Sequence, residues 1–270
     1  MSYNAFLVSI ENNVAHLRIN RPDKANAMNE DFWKEIPLIF NELEENNEVR
    51  VIVLSGEGKH FSSGIDLSML MKMNQINEEE TCKGRVGERL KKFILSLQSA
   101  ISSPEKCAKP VIAAISGACV GGGVDLATAC DMRYATEEAI FCVKEVDLGI
   151  IADIGTLQRL PKIIGFGLAN ELSLTARNVS AKEAEKMQLV NKVFANKEEM
   201  LAEVMKIAVL IAEKSPSAVR GTKNVLLHAR DHSVSEGLNY VATLNASQLL
   251  SEDLKIAMMA SFSKQKPSFR

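Results

Sequence analysis

Two short, uninterrupted apolar runs, VIVL at residues 51–54 and VIAAI at residues 111–115, constrain the fold of this 270-residue chain more than any other feature. A strand with one face in water alternates apolar and polar side chains, so runs like these indicate strands that are covered on both faces. Segments with helical periodicity lie between them, at residues 29–45 and at about residues 78–102. Strands that alternate with helices predict an α/β fold with crossover units.

The two ends of the chain differ from this middle part. Near the N-terminus, residues 6–10 and 14–19 alternate in polarity around a polar turn, which predicts a β-hairpin. After about Lys197 only helical periods remain, in three segments: residues 201–214, 217–230 and 234–262. We therefore expect an α/β core at residues 1–196 and a helical region at residues 197–270, whose apolar faces pack on neighbouring subunits.

Composition and termini argue against several classes of function. The 32 basic and 34 acidic residues are well mixed, and the net charge of −2 offers no basic surface to a nucleic acid. The five cysteines form no CxxC pair and have no histidine at metal-ligand spacing, which predicts reduced thiols and no metal site. Neither a secretory signal nor a C-terminal Ser-Lys-Leu is present, and no apolar stretch is long enough to span a bilayer. We expect a cytoplasmic protein without membrane insertion.

A glycine-rich loop follows each of the two buried strands. The first, at residues 56–67, is not a Walker phosphate loop, because His60 follows Gly58-Lys59 where Ser or Thr is required. The second, at residues 116–126, carries three consecutive glycines between a strand and a helix, where helix N-terminal N–H groups lack partners. Either loop alone is compatible with a plain turn or with tight packing. Together they predict two backbone donors that converge on one oxygen.

Three carboxylates, Asp125, Glu145 and Asp153, follow in the sequence near apolar residues. Each could be a turn or helix-capping residue. As a set they suggest a site with perturbed pKa values. Apolar residues flank Asp153 on both sides, so we expect its carboxylate to lie in a dry setting.

Nucleophilic chemistry with histidine is disfavoured. The chain has four histidines: His16, His60, His228 and His232. Three of them lie on a strand or in the C-terminal helices, and His60 has no acid partner in the sequence. The two serines of the first loop lack a His/Asp set, so a serine hydrolase is disfavoured. None of the histidines is assigned a catalytic role.

Ordered motifs carry a resemblance that covers nearly the whole chain and weakens after about Val193. The motifs are RPDKANAM at residues 21–28, HFSSGIDL at 60–67, GGGVDL at 121–126, VKEVDLG at 143–149 and DIGTLQRLP at 153–161. In this order they resemble the signatures of the crotonase (enoyl-CoA hydratase/isomerase) superfamily. The resemblance implies a crotonase spiral, in which stacked ββα units form the core and C-terminal helices form trimers or hexamers of two trimers.

The carboxylates are most similar to those of the Δ3,5-Δ2,4-dienoyl-CoA isomerases within this superfamily. Hydratases usually have glutamate at the positions of Asp125 and Glu145 and glycine at that of Asp153. The resemblance therefore implies isomerisation of 3,5-dienoyl-CoA to 2,4-dienoyl-CoA in fatty acid β-oxidation. An acyl-CoA thioester would be the partner, and no cofactor or metal would be needed, because coenzyme A is part of the substrate.

The resemblance also implies roles for individual residues. Asp153 would be the base at the α-carbon, Glu145 would deliver a proton to the far end of the diene, and Asp125 would orient the pair. The N–H groups of Ile65 and Gly122 would form an oxyanion hole. The implied substrate-binding residues are Ala25, Ala27, Ser63, Gly64, Ile65, Asp66, Leu67 and Gly122.

Three alternatives remain open from the sequence. An enoyl-CoA hydratase or a Δ3,Δ2-enoyl-CoA isomerase would use the same fold. A non-catalytic oligomer would bind acyl-CoA without exchanging its α-protons. RNA binding is a third alternative, against which the balanced charge argues.

Overall fold

The structure is a computed structural model that describes residues 3–69, 71 and 81–269. The strands are β1 (Phe6–Glu11), β2 (Val14–Ile19), β3 (Val51–Gly56), β4 (Val111–Ile115), β5 (Ala118–Val120), β6 (Met132–Thr136), β7 (Ile140–Cys142), β8 (Val179–Ser180) and β9 (Lys192–Phe194). The first helices are α1 (Glu30–Glu45), α2 (Lys83–Ile101), α3 (Ser103–Lys106), α4 (Gly122–Thr128), α5 (Thr156–Ile164), α6 (Phe166–Thr175) and α7 (Ala181–Lys186). The C-terminal helices are α8 (Lys197–Ala212), α9 (Pro216–Asp231), α10 (Val234–Gln248) and α11 (Glu252–Ser263). Two 3-10 helices lie at Pro22–Lys24 and Glu145–Leu148.

The larger sheet has six strands in the order β1-β2-β3-β4-β6-β9. Only the β1–β2 hairpin is antiparallel, as the N-terminal alternation predicted, and the other pairs are parallel. Both β3 and β4 are buried along their whole length, which confirms the prediction from their apolar runs. Because β3 and β4 are parallel neighbours, the two glycine-rich loops leave the sheet at the same edge.

A smaller sheet pairs β5 with β7 and β7 with β8. The strand β5 lies inside the second glycine-rich loop and has only three residues. A segment this short has too few residues to show a hydrophobic period, so the sequence did not predict it. Through this strand the second loop runs in an extended conformation beside the first loop.

Helix α1 begins where the sequence predicted, because the Asn29 side chain accepts a hydrogen bond of 3.1 Å from the Phe32 N–H. Its buried face includes Phe32, Trp33, Ile36 and Phe40. Helix α2 accounts for most of the helix predicted at residues 78–102. Residues 78–80 of that prediction lie outside the described residues.

The helices after residue 196 differ in how much of their surface packs on the core. Helix α8 covers the sheet, where Met200, Val204 and Ala208 share a core with Val53 and Ile112. By contrast, α9 buries only Lys223 and α10 buries no residue. The division of the chain at residue 196 into a core and an oligomerisation region stays a prediction.

The segment at residues 234–262, for which the sequence predicted helical periodicity, folds as two helices. Helix α10 ends at Gln248, and α11 begins after Ser251, whose side chain accepts a hydrogen bond of 3.3 Å from the Leu254 N–H. This serine cap starts a new helix, and a hydrophobic period alone does not reveal such a break. Within the described ranges, no helix is long and apolar enough to span a membrane.

Candidate active site

The two glycine-rich loops are joined by backbone hydrogen bonds. The Phe61 N–H donates to the Ser116 carbonyl at 2.7 Å, and the Ser62 N–H donates to the Ala118 carbonyl at 2.9 Å. In return the Val120 N–H donates to the Ser62 carbonyl at 3.0 Å. The loops therefore pair like short parallel strands through main-chain hydrogen bonds.

The pairing brings Gly64 against Gly122. A Cβ added at Gly64 would lie 2.7 Å from the Val120 carbonyl oxygen and 3.2 Å from the Gly122 nitrogen, and the Gly64 φ angle is +90°. Only glycine fits this close approach. Among the described residues, the N–H groups of Ile65 and Gly122 have no hydrogen-bond acceptor. Two unpaired donors thus lie at the junction of the loops.

The N-terminal motif packs along the first loop. The Asn26 side chain is fully buried, and its amide nitrogen donates to the carbonyls of Glu57 at 2.9 Å and His60 at 2.6 Å. Next to it, the Met28 N–H donates to the Gly64 carbonyl at 2.8 Å. The motif therefore holds the first loop by hydrogen bonds at both ends of the loop, near Glu57 and at Gly64.

The residues expected to bind substrate lie in this one backbone region. The Ser63 N–H donates to the Ala25 carbonyl at 3.0 Å, so these two segments are neighbours. The Arg21 guanidinium links Ala27 to the first loop, because it donates to the Ala27 carbonyl and forms an ion pair of 3.1 Å with Asp66. Leu67 follows, with 51% of its surface exposed.

Asp125 is a fully buried carboxylate on α4. One oxygen accepts a hydrogen bond of 2.5 Å from the backbone N–H of Thr156, the first residue of α5. Its other oxygen is buried and has no partner among the described residues. Burial raises the pKa of Asp125 to about 7, and the charge of Glu145 adds to this effect. Asp125 therefore caps α5 and is a candidate acid.

Glu145 begins the second 3-10 helix and lies beside the second loop. A Cβ added at Gly121 would lie 3.3 Å from its Oε1 atom, while its Oε2 atom is buried without a partner in the described part of the chain. Burial raises the pKa of Glu145, and the charge of Asp153 raises it further. The three predicted carboxylates are therefore close enough for electrostatic interaction, of Glu145 with Asp125 and of Asp153 with Glu145.

The prediction that the Asp153 carboxylate lies in a dry setting is wrong, because this residue is exposed in the single chain. Its apolar neighbours Ile150 and Ile151 are exposed as well, the latter to 75%. Residues 151–153 belong to no helix or strand, so the segment turns outward, and only Ala152 and Ile154 are buried. Partial burial still raises the pKa of Asp153.

Sequence reasoning missed the role of Arg159, although it lies in the last motif. Its guanidinium is buried and donates to the Glu105 carboxylate at 2.9 and 3.2 Å and to the Ser102 hydroxyl at 2.8 Å. A Cβ on Gly155 would lie only 1.8 Å from Arg159 Nη1. The glycine before α5 therefore makes room for this arginine, which anchors the segment next to Asp153.

The unpaired N–H groups of Ile65 and Gly122 can stabilise an oxyanion, and the nearby carboxyl groups can transfer protons. No group of three or more metal-ligating side chains occurs within residues 3–69, 71 and 81–269. The expectation that no metal or cofactor is needed stays a prediction.

A spiral α/β fold in which unpaired backbone donors meet a cluster of carboxylates is typical of enzymes that act on acyl thioesters. The chain belongs to the enoyl-CoA hydratase/isomerase family, whose sequence profile matches residues 9–270. The membership inferred from the motifs is thereby confirmed.

Three relatives define its position within the family. The chain is 52% identical over 259 residues to the peroxisomal Delta(3,5)-Delta(2,4)-dienoyl-CoA isomerase of Arabidopsis thaliana, covering 96% of this chain and 93% of the relative. It is 48% identical over 261 residues to the mitochondrial human enzyme of that name, covering 96% and 79% of the two chains. A crystal structure of an enoyl-CoA hydratase from Bacillus anthracis superposes with a TM-score of 0.88 at 29% identity, covering 98% and 99%.

The cytoplasmic location expected from the sequence is contradicted by these relatives. The Arabidopsis relative is named peroxisomal and the human relative mitochondrial. The expectation rested on the absence of known address signals, and such an absence does not define a compartment.

Replacing Asp125 by asparagine should change how stability depends on pH. The folded-state pKa of about 7 lies above the ordinary value of 3.8, so ionisation of Asp125 favours the unfolded chain. Its contribution is complete below about pH 4 and is lost as the pH rises through 7. Asparagine still accepts from Thr156 and does not ionise. Between pH 4 and pH 8 the variant should therefore gain on the order of 4 kcal/mol over wild type in urea unfolding.

The matched control is Asp23→Asn, which changes an exposed carboxylate on the first 3-10 helix. This control removes a charge without removing a buried carboxyl, so it should not show the gain expected for Asp125→Asn. A constant difference from wild type for Asp125→Asn would show that the buried carboxyl is not the group that titrates.

Proposed function

We propose that this protein isomerises 3,5-dienoyl-CoA thioesters to 2,4-dienoyl-CoA in fatty acid β-oxidation. The observation that carries the proposal is the set of Asp125, Glu145 and Asp153 beside the unpaired N–H groups of Ile65 and Gly122. The names of the relatives that are 52% and 48% identical support it. The reaction needs an oxyanion site, a base and an acid, and the site offers candidates for all three.

The backbone donors would stabilise the enolate. Removing a proton next to a thioester carbonyl places negative charge on the carbonyl oxygen. The N–H groups of Ile65 and Gly122 would donate to this oxygen, and Gly122 also begins helix α4, whose N-terminal end favours negative charge. One preorganised donor contributes about 3 kcal/mol to transition-state stabilisation.

Different environments would divide the proton transfers between two carboxyl groups. Asp153 is exposed and is the candidate base at the α-carbon, while the more deeply buried Glu145 is the candidate proton donor at the far end of the diene. Burial favours the neutral form of a carboxyl group, so Glu145 is the better proton carrier of the two. Asp125 would orient Glu145 while it caps α5.

The acyl-CoA thioester would bind along the region where the N-terminal motif meets the first loop. The residues that would hold it are Ala25, Ala27, Ser63, Gly64, Ile65, Asp66, Leu67 and Gly122. No cofactor is proposed, because coenzyme A arrives as part of the substrate. The backbone donors would provide the charge stabilisation that a metal ion supplies elsewhere.

Enoyl-CoA hydration is the second candidate, favoured by one observation. Asp125 and Glu145 each have one buried carboxylate oxygen without a partner among the described residues. Two such oxygens could hold and activate a water molecule. In that case Asp153 would not be needed, and the product would gain the mass of water.

The direct test follows the conversion of 3,5-dienoyl-CoA by ultraviolet absorption. The conjugated 2,4-dienoyl thioester should appear, and mass spectrometry should show a product of unchanged mass. Folded protein that binds acyl-CoA but gives no conjugated product would reject the proposal. A gain of 18 mass units with 2-enoyl-CoA alone would support the hydratase.

Replacing Asp153 by asparagine should lower the isomerisation rate by about 10²- to 10⁴-fold, because it removes the base at nearly constant size. Affinity for a non-reactive acyl-CoA should stay within about threefold of wild type, since the charge acts on the α-proton. Steady-state kinetics and calorimetry give the two quantities. Asp147→Asn, which changes an exposed carboxylate paired with Lys144, is the control and should retain the rate. A wild-type isomerisation rate in Asp153→Asn would contradict the proposed role of Asp153 and favour the hypothesis that the protein is a hydratase.

We also expect an oligomer in multiples of three, a homotrimer or a hexamer of two trimers. Helices α10 and α11 and the turn between them expose large apolar side chains: Leu238 on α10, Leu250 in the turn and Phe262 on α11, the last two to 89% and 83%. Such a surface is stable in water only when another surface covers it. Light scattering at micromolar concentration should give three or six times the monomer mass of 29.6 kDa. A single species at the monomer mass would contradict this expectation.

A further inference from the structure

The His60 side chain makes a contact that no proposed step uses. The Ala118 backbone N–H donates to His60 Nδ1 at 3.0 Å. A backbone N–H can only donate, so Nδ1 accepts and the proton of the neutral ring is on Nε2. The imidazole of the first loop therefore bonds directly to the backbone of the second loop.

The second loop is shaped to receive this ring. Gly117 has a φ angle of +55°, and a Cβ added there would lie 2.6 Å from His60 Nδ1 and 2.5 Å from the Lys59 carbonyl oxygen. Any larger residue would collide with the ring and the backbone. Gly117 thus gives the imidazole access to Ala118.

This contact belongs to the pairing that holds the two donors. Within the described part of the chain, the other hydrogen bonds that pair residues 60–62 with residues 116–120 are backbone to backbone. The bond from Ala118 to His60 is the one that depends on a side chain. The first loop continues to Ile65 and the second to Gly122, so a shift between the loops changes the separation of the two proposed oxyanion donors.

We propose that His60 is a positioning residue that sets the separation of the Ile65 and Gly122 N–H groups through its bond to Ala118. The proposal rests on the proposed function only in the use of those two donors. Charge stabilisation depends on donor distance, and misplacement by about 1 Å costs roughly 10²-fold in rate. The role requires an acceptor at the position of Nδ1.

The test compares three variants that differ in where an acceptor lies. In His60→Asn, Oδ1 takes the position of Nδ1. In His60→Gln the acceptor lies one bond further out, and His60→Leu has none. We expect His60→Leu and His60→Gln to lower kcat about 10- to 100-fold with KM within threefold, and His60→Asn to stay within about threefold of wild type.

The infrared carbonyl frequency of bound hexanoyl-CoA, a thioester without double bonds, gives a readout independent of turnover. Hydrogen bonding lowers this frequency, so wild type and His60→Asn should shift it further from the free value than His60→Leu and His60→Gln do. Wild type that shifts the frequency but does not convert 3,5-dienoyl-CoA would reject the proposed function and leave the role of His60 supported. An unshifted frequency in wild type would overturn the role of His60.

A control separates positioning from stability. Val204 of α8 is buried in the cluster that it shares with Val53 and Ile112, whose members lie outside both loops, and Val204→Ala should lower the Tm while kcat stays near wild type. Wild-type kcat in folded His60→Leu, or equal loss in His60→Asn and His60→Leu, would overturn the proposal. Should the leucine variant not fold, the comparison of His60→Asn with His60→Gln decides the same question.

Discussion

The rest of the site depends on the main-chain pairing between the two glycine-rich loops. Ser62 both donates to and accepts from the second loop, at Ala118 and Val120. Because β3 and β4 are neighbours in the sheet, the loops start side by side, and they pair again beyond the sheet edge at Ser62 and Cys119. Gly64 and Gly122 then meet at a distance that no side chain would allow. The unpaired donors are a product of backbone geometry, and the bond from Ala118 to His60 adds a side chain to the same pairing.

Asp125 holds the start of a helix and is also one of the carboxyl groups of the proposed chemistry. Asp125 caps α5, whose own N-cap residue Gly155 has no side chain for the purpose. That glycine is required by the guanidinium of Arg159, which lies where its Cβ would be. Arg159 in turn binds Glu105, to which Arg230 of α9 also donates. The start of α5 is therefore held by Asp125 on one side and by the contacts of Arg159 on the other.

The sequence predicted the elements with strong local signals. The buried strands, the hairpin, the Asn29 cap and the glycine loop that opens α4 all depend on residues near one another in the chain, and all were found. Family motifs located the three carboxylates. Their exposure was harder to predict, because whether Ile151 covers Asp153 depends on the path of an irregular segment.

Contacts between distant segments were not accessible from sequence patterns. The bonds of Arg159 to Glu105 and of Ala118 to His60 join residues 54 and 58 positions apart. The helix break at Ser251 was missed for a different reason. The apolar period continues across the break, and only the serine cap marks the start of the new helix.

The attachment of α9 to the core has a consequence for how the protein responds to its solvent. This helix buries one residue, Lys223, whose ammonium binds the carbonyls of Pro104 and Lys109 and the carboxylate of Asp131. Arg230 and Lys162 add ion pairs across the same boundary. The sheet and α8 are instead held together by apolar contact, which salts such as sulfate strengthen, while dissolved ions screen exposed charge pairs. A salt such as sulfate should therefore weaken the ion pairs of Arg230 and Lys162 while it strengthens the packing of α8 on the sheet. The buried pair of Lys223 with Asp131, which ions screen much less, should keep α9 attached.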